Sequence, residues 1–215
     1  MSVDQKVSSY FDADAQRFDA IYVDKNKGSF ARWIDDVWRG VVRRRLDLAL
    51  QVLAPFDGKA VLDVGCGSGR HSVAFAERGA KVVGIDFAPR MIELAKNLAV
   101  AQGVSDRCDF RTGAFPDAVP EGIFSASAAI GFFDYIAEPI PIVKRMKELT
   151  HGTVVMSFPK AIEWRVPFRR IRFWLKGCPL FLYSESRVRD ILNAAGLADF
   201  DWLVLDRDYF VVARH

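Results

Sequence analysis

Val61-Leu62-Asp63-Val64-Gly65-Cys66-Gly67-Ser68-Gly69 is the stretch on which the fold of this chain turns. Ala60 to Val64 is short and apolar, the mark of a buried parallel strand. Gly65, Gly67 and Gly69 follow at alternate positions, so the backbone can bend tightly and meet a ligand with no Cβ in the way. Beyond Gly69 the pattern becomes helical, with Val73, Phe75 and Ala76 apolar. A second strand, Lys81 to Ile85, then runs into Asp86. Strand, glycine turn, helix, strand and acid form a nucleotide-binding unit, in which an acid about 20 residues past the first glycine takes a ribose diol.

Two residues bear on which nucleotide. Arg70 stands where the dinucleotide fingerprint has its third glycine. Asp63, at the carboxyl end of the strand, would repel a pyrophosphate but suits a ligand with an ammonium group, such as the methionine end of S-adenosylmethionine. Both oppose the competing reading of an NAD-binding oxidoreductase on a Rossmann-like fold.

Asp63 to Gly69, with Gly84-Ile85-Asp86-Phe87-Ala88-Pro89-Arg90-Met91, resembles the cofactor motifs of class I S-adenosylmethionine-dependent methyltransferases. The similarity in pattern runs from about Tyr10 to the C-terminus and is closest to small-molecule enzymes of the quinone-biosynthesis and magnesium-protoporphyrin type. It implies S-adenosyl-L-methionine as cofactor and no metal. It also implies a cofactor site of Asp63, Gly65, Cys66, Gly67, Ser68, Asp86, Phe87, Met91, Gly113, Ala114, Phe115, Ile130 and Gly131. Phe87 and Met91 would wall the adenine. Relatives commonly place an aspartate after Gly113; here Ala114 stands there, leaving backbone groups of Ala114 and Phe115 for the adenine edge. That departure keeps a catalytically silent binding protein open as an alternative.

The chain has 215 residues, 51% hydrophobic and 27% charged, the composition of one globular domain with decorations. No apolar run approaches the ~20 residues of a membrane span. Met1 to Gln5 is polar, without the apolar core of a signal peptide. Cys66, Cys108 and Cys178 have neither zinc nor disulfide spacing, and a cytoplasmic location is expected. Cys66 reads as a packing residue rather than a nucleophile. A net charge of +3 implies no nucleic-acid partner.

Residues 3 to 22 have a helical pattern with Val7, Tyr10, Phe11, Ala15, Phe18 and Tyr22 on one side. It fits a lid resembling that of quinone-type relatives or an amphipathic helix packed on the sheet. A long helix follows from Phe30 to Leu53, flanked by Arg39, Arg43, Arg44 and Arg45. That flank reads as a solvated face; in the resembled family an arginine near this point reaches the cofactor carboxylate, which makes Arg45 a candidate. Further elements are expected at 89–102 (helix), 107–112 and 123–131 (strands), 139–149 (helix), 152–158 (strand) and 185–195 (helix, with Ser184 as N-cap). Strands 201–205 and 209–213, joined by Asp206-Arg207-Asp208, must pair antiparallel. The expected fold is α/β: a Rossmann-like, seven-stranded, mostly parallel sheet with a C-terminal antiparallel hairpin, helices on both faces and an N-terminal helical lid. Residues 1–55 form the lid and first packing helix, and 56–215 the cofactor-binding domain.

Ile130-Gly131-Phe132-Phe133-Asp134-Tyr135 should lie at the carboxyl edge of the sheet, where open α/β folds bind ligands. Methyl transfer asks mainly that the nucleophile be held in line, and a hydroxyl nucleophile also needs a base. Asp134 and Tyr135 are the catalytic candidates, although Asp134 equally suits a local turn role. His71 opens the helix after the glycine turn, either within reach of the cofactor or at the surface; His151 lies at the sheet edge away from the ligand and His215 is terminal. The acceptor is expected to be a small, largely apolar molecule methylated on oxygen. The segment 159–183 interleaves Lys160, Arg165, Arg169, Arg170, Arg172 and Lys176 with Trp164, Phe168, Ile171, Phe173, Trp174 and Leu175. Three readings stay open: a lid helix with a solvated basic side, the lining of an acidic substrate's pocket, or, through 164–176, contact with an anionic membrane surface.

Overall fold

A computed structural model of the chain describes residues 29–162, 166–175, 178–205 and 207–214. The expected helix at 3–22, with Tyr10 and Tyr22, lies outside them. Helix α1 runs Ser29–Leu53, β1 Ala60–Val64, α2 Arg70–Ala76, β2 Lys81–Asp86 and α3 Pro89–Ala101. After a 3₁₀ turn come β3 (Cys108–Thr112) and β4 (Phe124–Ala129), then a second 3₁₀ turn at Phe133–Tyr135. The chain continues through α4 (Pro139–Glu148), β5 (Thr150–Pro159), α5 (Val166–Leu175), α6 (Glu185–Ala194), β6 (Phe200–Val204) and β7 (Asp208–Arg214).

The seven strands form one sheet in the order β3-β2-β1-β4-β5-β7-β6. All neighbours are parallel except β7, which is antiparallel to both β5 and β6. β1 is central because both its faces are apolar. Val61 joins a core with Val73, Phe75, Ile92 and Ala95, under α2 and α3. Leu62 and Val64 join the other core with Val143, Met146, Val188 and Ile191, under α4 and α6. Alternation along the strand therefore aims Asp63 at the α2 side.

Local signals set the boundaries where expected. Pro89 opens α3 at its first position. The Ser184 hydroxyl accepts from Arg187 N at 3.2 Å, capping α6. β5 is longer than its apolar run suggests, starting at Thr150, which pairs with Phe124 of β4; its hydroxyl donates to Met146 O (2.7 Å) and lies 2.9 Å from Ser127 Oγ.

Three expectations change. The basic flank of α1 is not uniformly solvated: Arg43 and Arg44 are exposed, whereas Arg45 is buried. Arg207 and Asp208 are not exposed turn residues, since Asp208 opens β7 opposite Pro159 and is fully buried. In α5, Ile171 and Leu175 do not pack on the domain; Val166 and Phe173, seven apart, face inward instead. Phe173 finds aromatic partners there.

Candidate functional site

The glycine turn closes on β2. Gly65 N and Cys66 N both donate to Ile85 O, at 2.8 and 3.0 Å. Gly67 N donates to Asp86 Oδ2 at 3.0 Å and Ala88 N to Oδ1 at 2.9 Å. Asp86 thus anchors the turn. Gly65 has φ 69°, and a Cβ there would collide with the Phe132 ring. Only glycine fits between that ring and the bend. Ser68 is half-buried in the same turn. Cys66 is buried in the core, and burial pushes its thiol well above the ordinary range, in keeping with a packing role.

Asp63 sits beneath the turn and is buried. Ser72 Oγ on α2 donates to its Oδ2 at 2.5 Å. Burial raises its pKa to about 6; the Ser72 hydrogen bond pulls the other way, and the neighbouring charge of Asp86 adds to the rise. Asp63 and Asp86 are thus two buried carboxylates at one bend, a setting that suits an ammonium or sulfonium ligand.

Along the β2 and β3 edge the expected residues separate. Met91 is buried with Ala88 and Leu94, whereas Phe87 packs against Phe173 and Cys178. Gly113 N donates to Asp86 O at 3.0 Å, and Ala114 O accepts from Ala118 N at 3.0 Å. The Ala114 carbonyl is therefore already engaged, and the half-buried Phe115 packs on the α4 side of the sheet.

The mouth forms at the end of β4. Ile130 is buried, and Gly131 (φ 75°) donates its N–H to Ser157 Oγ at 2.8 Å. Asp134 is buried in the following 3₁₀ turn, and its carbonyl accepts from Phe181 N at 2.8 Å. Tyr135 lies under α5, its ring 6.0 Å from that of Phe173. Tyr183, which no local pattern singles out, fixes this turn: its buried hydroxyl lies 3.0 Å from Ile136 O and 3.2 Å from Phe133 O.

Two further groups stand at the mouth; sequence reasoning named Arg45 as a candidate but missed its partner Asp208. Arg45 Nε donates to Asp208 Oδ2 at 2.9 Å, and Gly131 leaves room for the guanidinium: a Cβ there would lie 3.2 Å from Arg45 Nη1. Burial opposes the charge of Arg45, but Asp208 and then Asp134 outweigh it and hold its pKa up. Arg45 is thus paired with Asp208 through Nε, while Nη1 is the nitrogen nearest Gly131. His71 is not a surface residue. Its Nε2 is shielded and takes no hydrogen bond among the described residues. Burial, then Arg45 and Arg70, push its pKa down to about 4, so the ring is neutral. Only the pairing of β7 with β5 brings Asp208 to this edge, which no local signal reveals.

Residues 55–167 match a family model described as a methyltransferase domain. The ubiquinone biosynthesis O-methyltransferase of Cereibacter sphaeroides is 32% identical over 198 residues, 79% of this chain and 77% of that protein. The chain spans half or less of several other curated relatives, 36% and 48% of two further ubiquinone biosynthesis O-methyltransferases. Among solved structures, magnesium protoporphyrin IX methyltransferase from Synechocystis PCC 6803 with bound SAH superposes with TM-score 0.77 at 19% identity, covering 97% of this chain and 98% of that one. The [4+2]-cyclase SpnF superposes with TM-score 0.72 at 17% identity, covering 98% and 95%. These structural likenesses show the fold, which serves more than one chemistry.

Proposed function

We propose, since the chain belongs to the methyltransferase-domain family, that it is an enzyme transferring a methyl group from S-adenosylmethionine to the oxygen of a small, largely apolar acceptor. The observation that carries this reading is the buried pair Asp63 and Asp86 around a bend that excludes side chains. The relatives' names and the SAH bound in the Synechocystis structure agree with it. The cofactor supplies an electrophilic methyl on a sulfonium. Asp63, Gly65, Cys66, Gly67 and Ser68 would hold its methionine end, with Ile130 and Gly131 alongside. Asp86 would take the ribose. Phe87, Met91, Gly113, Ala114 and Phe115 would border the adenine, with a backbone N–H rather than the Ala114 carbonyl free to face it.

Asp134 and Tyr135 are the catalytic residues of this proposal. The Asp134 carboxylate takes the proton of the acceptor hydroxyl, and Tyr135 with Phe173, Phe87 and Leu180 forms the apolar wall that orients the acceptor and excludes water. Tyr183 and Phe181 hold the turn that aims both residues. In this reading residues 1–55 contribute the lid and first packing helix, and 56–215 the catalytic domain. A cytoplasmic location belongs to the same reading, supported by three cysteines held as thiols.

The test has two stages. S-adenosylhomocysteine should raise the melting temperature where NADH does not, and transfer of labelled methyl to a panel of phenolic and tetrapyrrole acids should follow. A shift with NADH alone would revive the oxidoreductase. Binding of S-adenosylhomocysteine without transfer to any acceptor would favour a silent binding protein.

A further inference from the structure

Helix α5 turns two unlike faces to its surroundings. Val166 and Phe173 point inward, Phe173 against Tyr135 at the mouth. On the outer side Ile171, Trp174 and Leu175, spaced i, i+3 and i+4, form one stripe and are 58%, 78% and 71% exposed. Ile162, shortly before the helix, is 87% exposed. Single exposed apolar residues are ordinary, but a contiguous stripe with tryptophan in it marks a contact surface. The surrounding sequence chooses the partner. Lys160, Arg165, Arg169, Arg170, Arg172 and Lys176 lie within it, and no acid occurs between Glu163 and Glu185. A second copy would set this cationic segment against its own kind, which is repulsive. An anionic lipid surface matches both the charge and the apolar stripe.

We propose that α5 docks this protein on an anionic bilayer surface. Ile171, Trp174 and Leu175 enter the headgroup boundary while the basic residues of the segment meet lipid phosphates. At 10 residues the helix is far too short to span, so the contact is peripheral. The helix that meets the lipid also carries Phe173 over Tyr135, so an acceptor dissolved in the membrane has a short path to the mouth. The docking itself requires no methyl transfer and is tested without it.

The full chain is mixed with vesicles of phosphatidylcholine alone or with added phosphatidylglycerol, at low and high salt, and bound protein is measured by flotation. Binding to the anionic vesicles only, weakened by salt, is expected. Ile171→Ser, Trp174→Ser and Leu175→Ser combined should reduce it about tenfold or more, and Arg170→Glu should reduce it by charge alone. Both variants should keep the wild-type melting temperature. Failure to float with anionic vesicles, or undiminished binding of the triple variant, would overturn the proposal. So would a lipid-free dimer that the triple variant dissolves, seen by sedimentation velocity, because a second copy would then own this face.

Discussion

Arg45 on α1 and Asp208 at the start of β7 are 163 positions apart in sequence and joined by a buried hydrogen-bonded ion pair, Nε to Oδ2 at 2.9 Å. The pair locks the first packing helix to the last strand at the carboxyl end of β5. Breaking one side strands a buried charge. Asp208→Ala should cost about 3–5 kcal/mol in denaturant unfolding, and Arg45→Met with Asp208→Leu should recover most of that loss. Equal losses in the single and double variants would show that packing, not charge, matters here.

With Asp63 at the methionine end of the cofactor, as proposed, cofactor affinity depends on pH. Its folded pKa of about 6 lies above the ordinary carboxylate range, so its ionisation works against the ligand-free fold, not at all below about pH 4 and fully above about 6. The ammonium group of the ligand pairs with the ionised form. Affinity for S-adenosylhomocysteine, measured by calorimetry, should therefore rise up to about tenfold per unit as pH increases toward 6 and level off above 7. Asp63→Asn should bind weakly at every pH, and a wild-type profile flat from 5 to 8 would contradict this.

His71 acts on stability in the opposite sense. Its pKa falls from the usual ~6.5 when unfolded to about 4 in the fold, because of burial and then Arg45 and Arg70. The unfolded state takes up the proton first, so the contribution is full above pH 6.5 and is lost as pH falls toward 4. His71→Leu should flatten this acid limb in denaturation curves between pH 7 and 4. The limb should steepen in Asp63→Asn, because protonation of Asp63 works against it between pH 6 and 4.

Tyr183 holds the turn of Asp134 through Ile136 O and Phe133 O. Tyr183→Phe should cost about 1–2 kcal/mol and lower kcat several-fold. Affinity for S-adenosylhomocysteine should stay unchanged, since the glycine bend is tied down separately by Asp86. A loss of cofactor affinity as large as the loss of kcat would place Tyr183 in the cofactor site instead.

Much of the fold was legible locally. Val61 to Val64 and Lys81 to Ile85 are too apolar to be anything but inner strands, and their ends follow from glycines at 65, 67 and 69 and from Pro89. The acids at 63 and 86 could be read as site residues because both sit at strand ends beside that bend. Phe87 and Met91 were harder: two side chains four apart on a helix entry look equivalent in sequence, yet one joins the cluster under α5 and the other a separate pocket of apolar neighbours.

The sequence by itself determined the strand–bend–helix unit, the antiparallel hairpin and the acids at the bend, because periodicity, glycine spacing and chain reach are short-range constraints. Only the tertiary structure decided that Arg45 belongs to Asp208, that His71 is shielded and neutral, and that Tyr183 props the mouth. Those facts depend on which strand lies beside which. Desolvation and charge pairing act between groups far apart in the chain, and no local pattern records them.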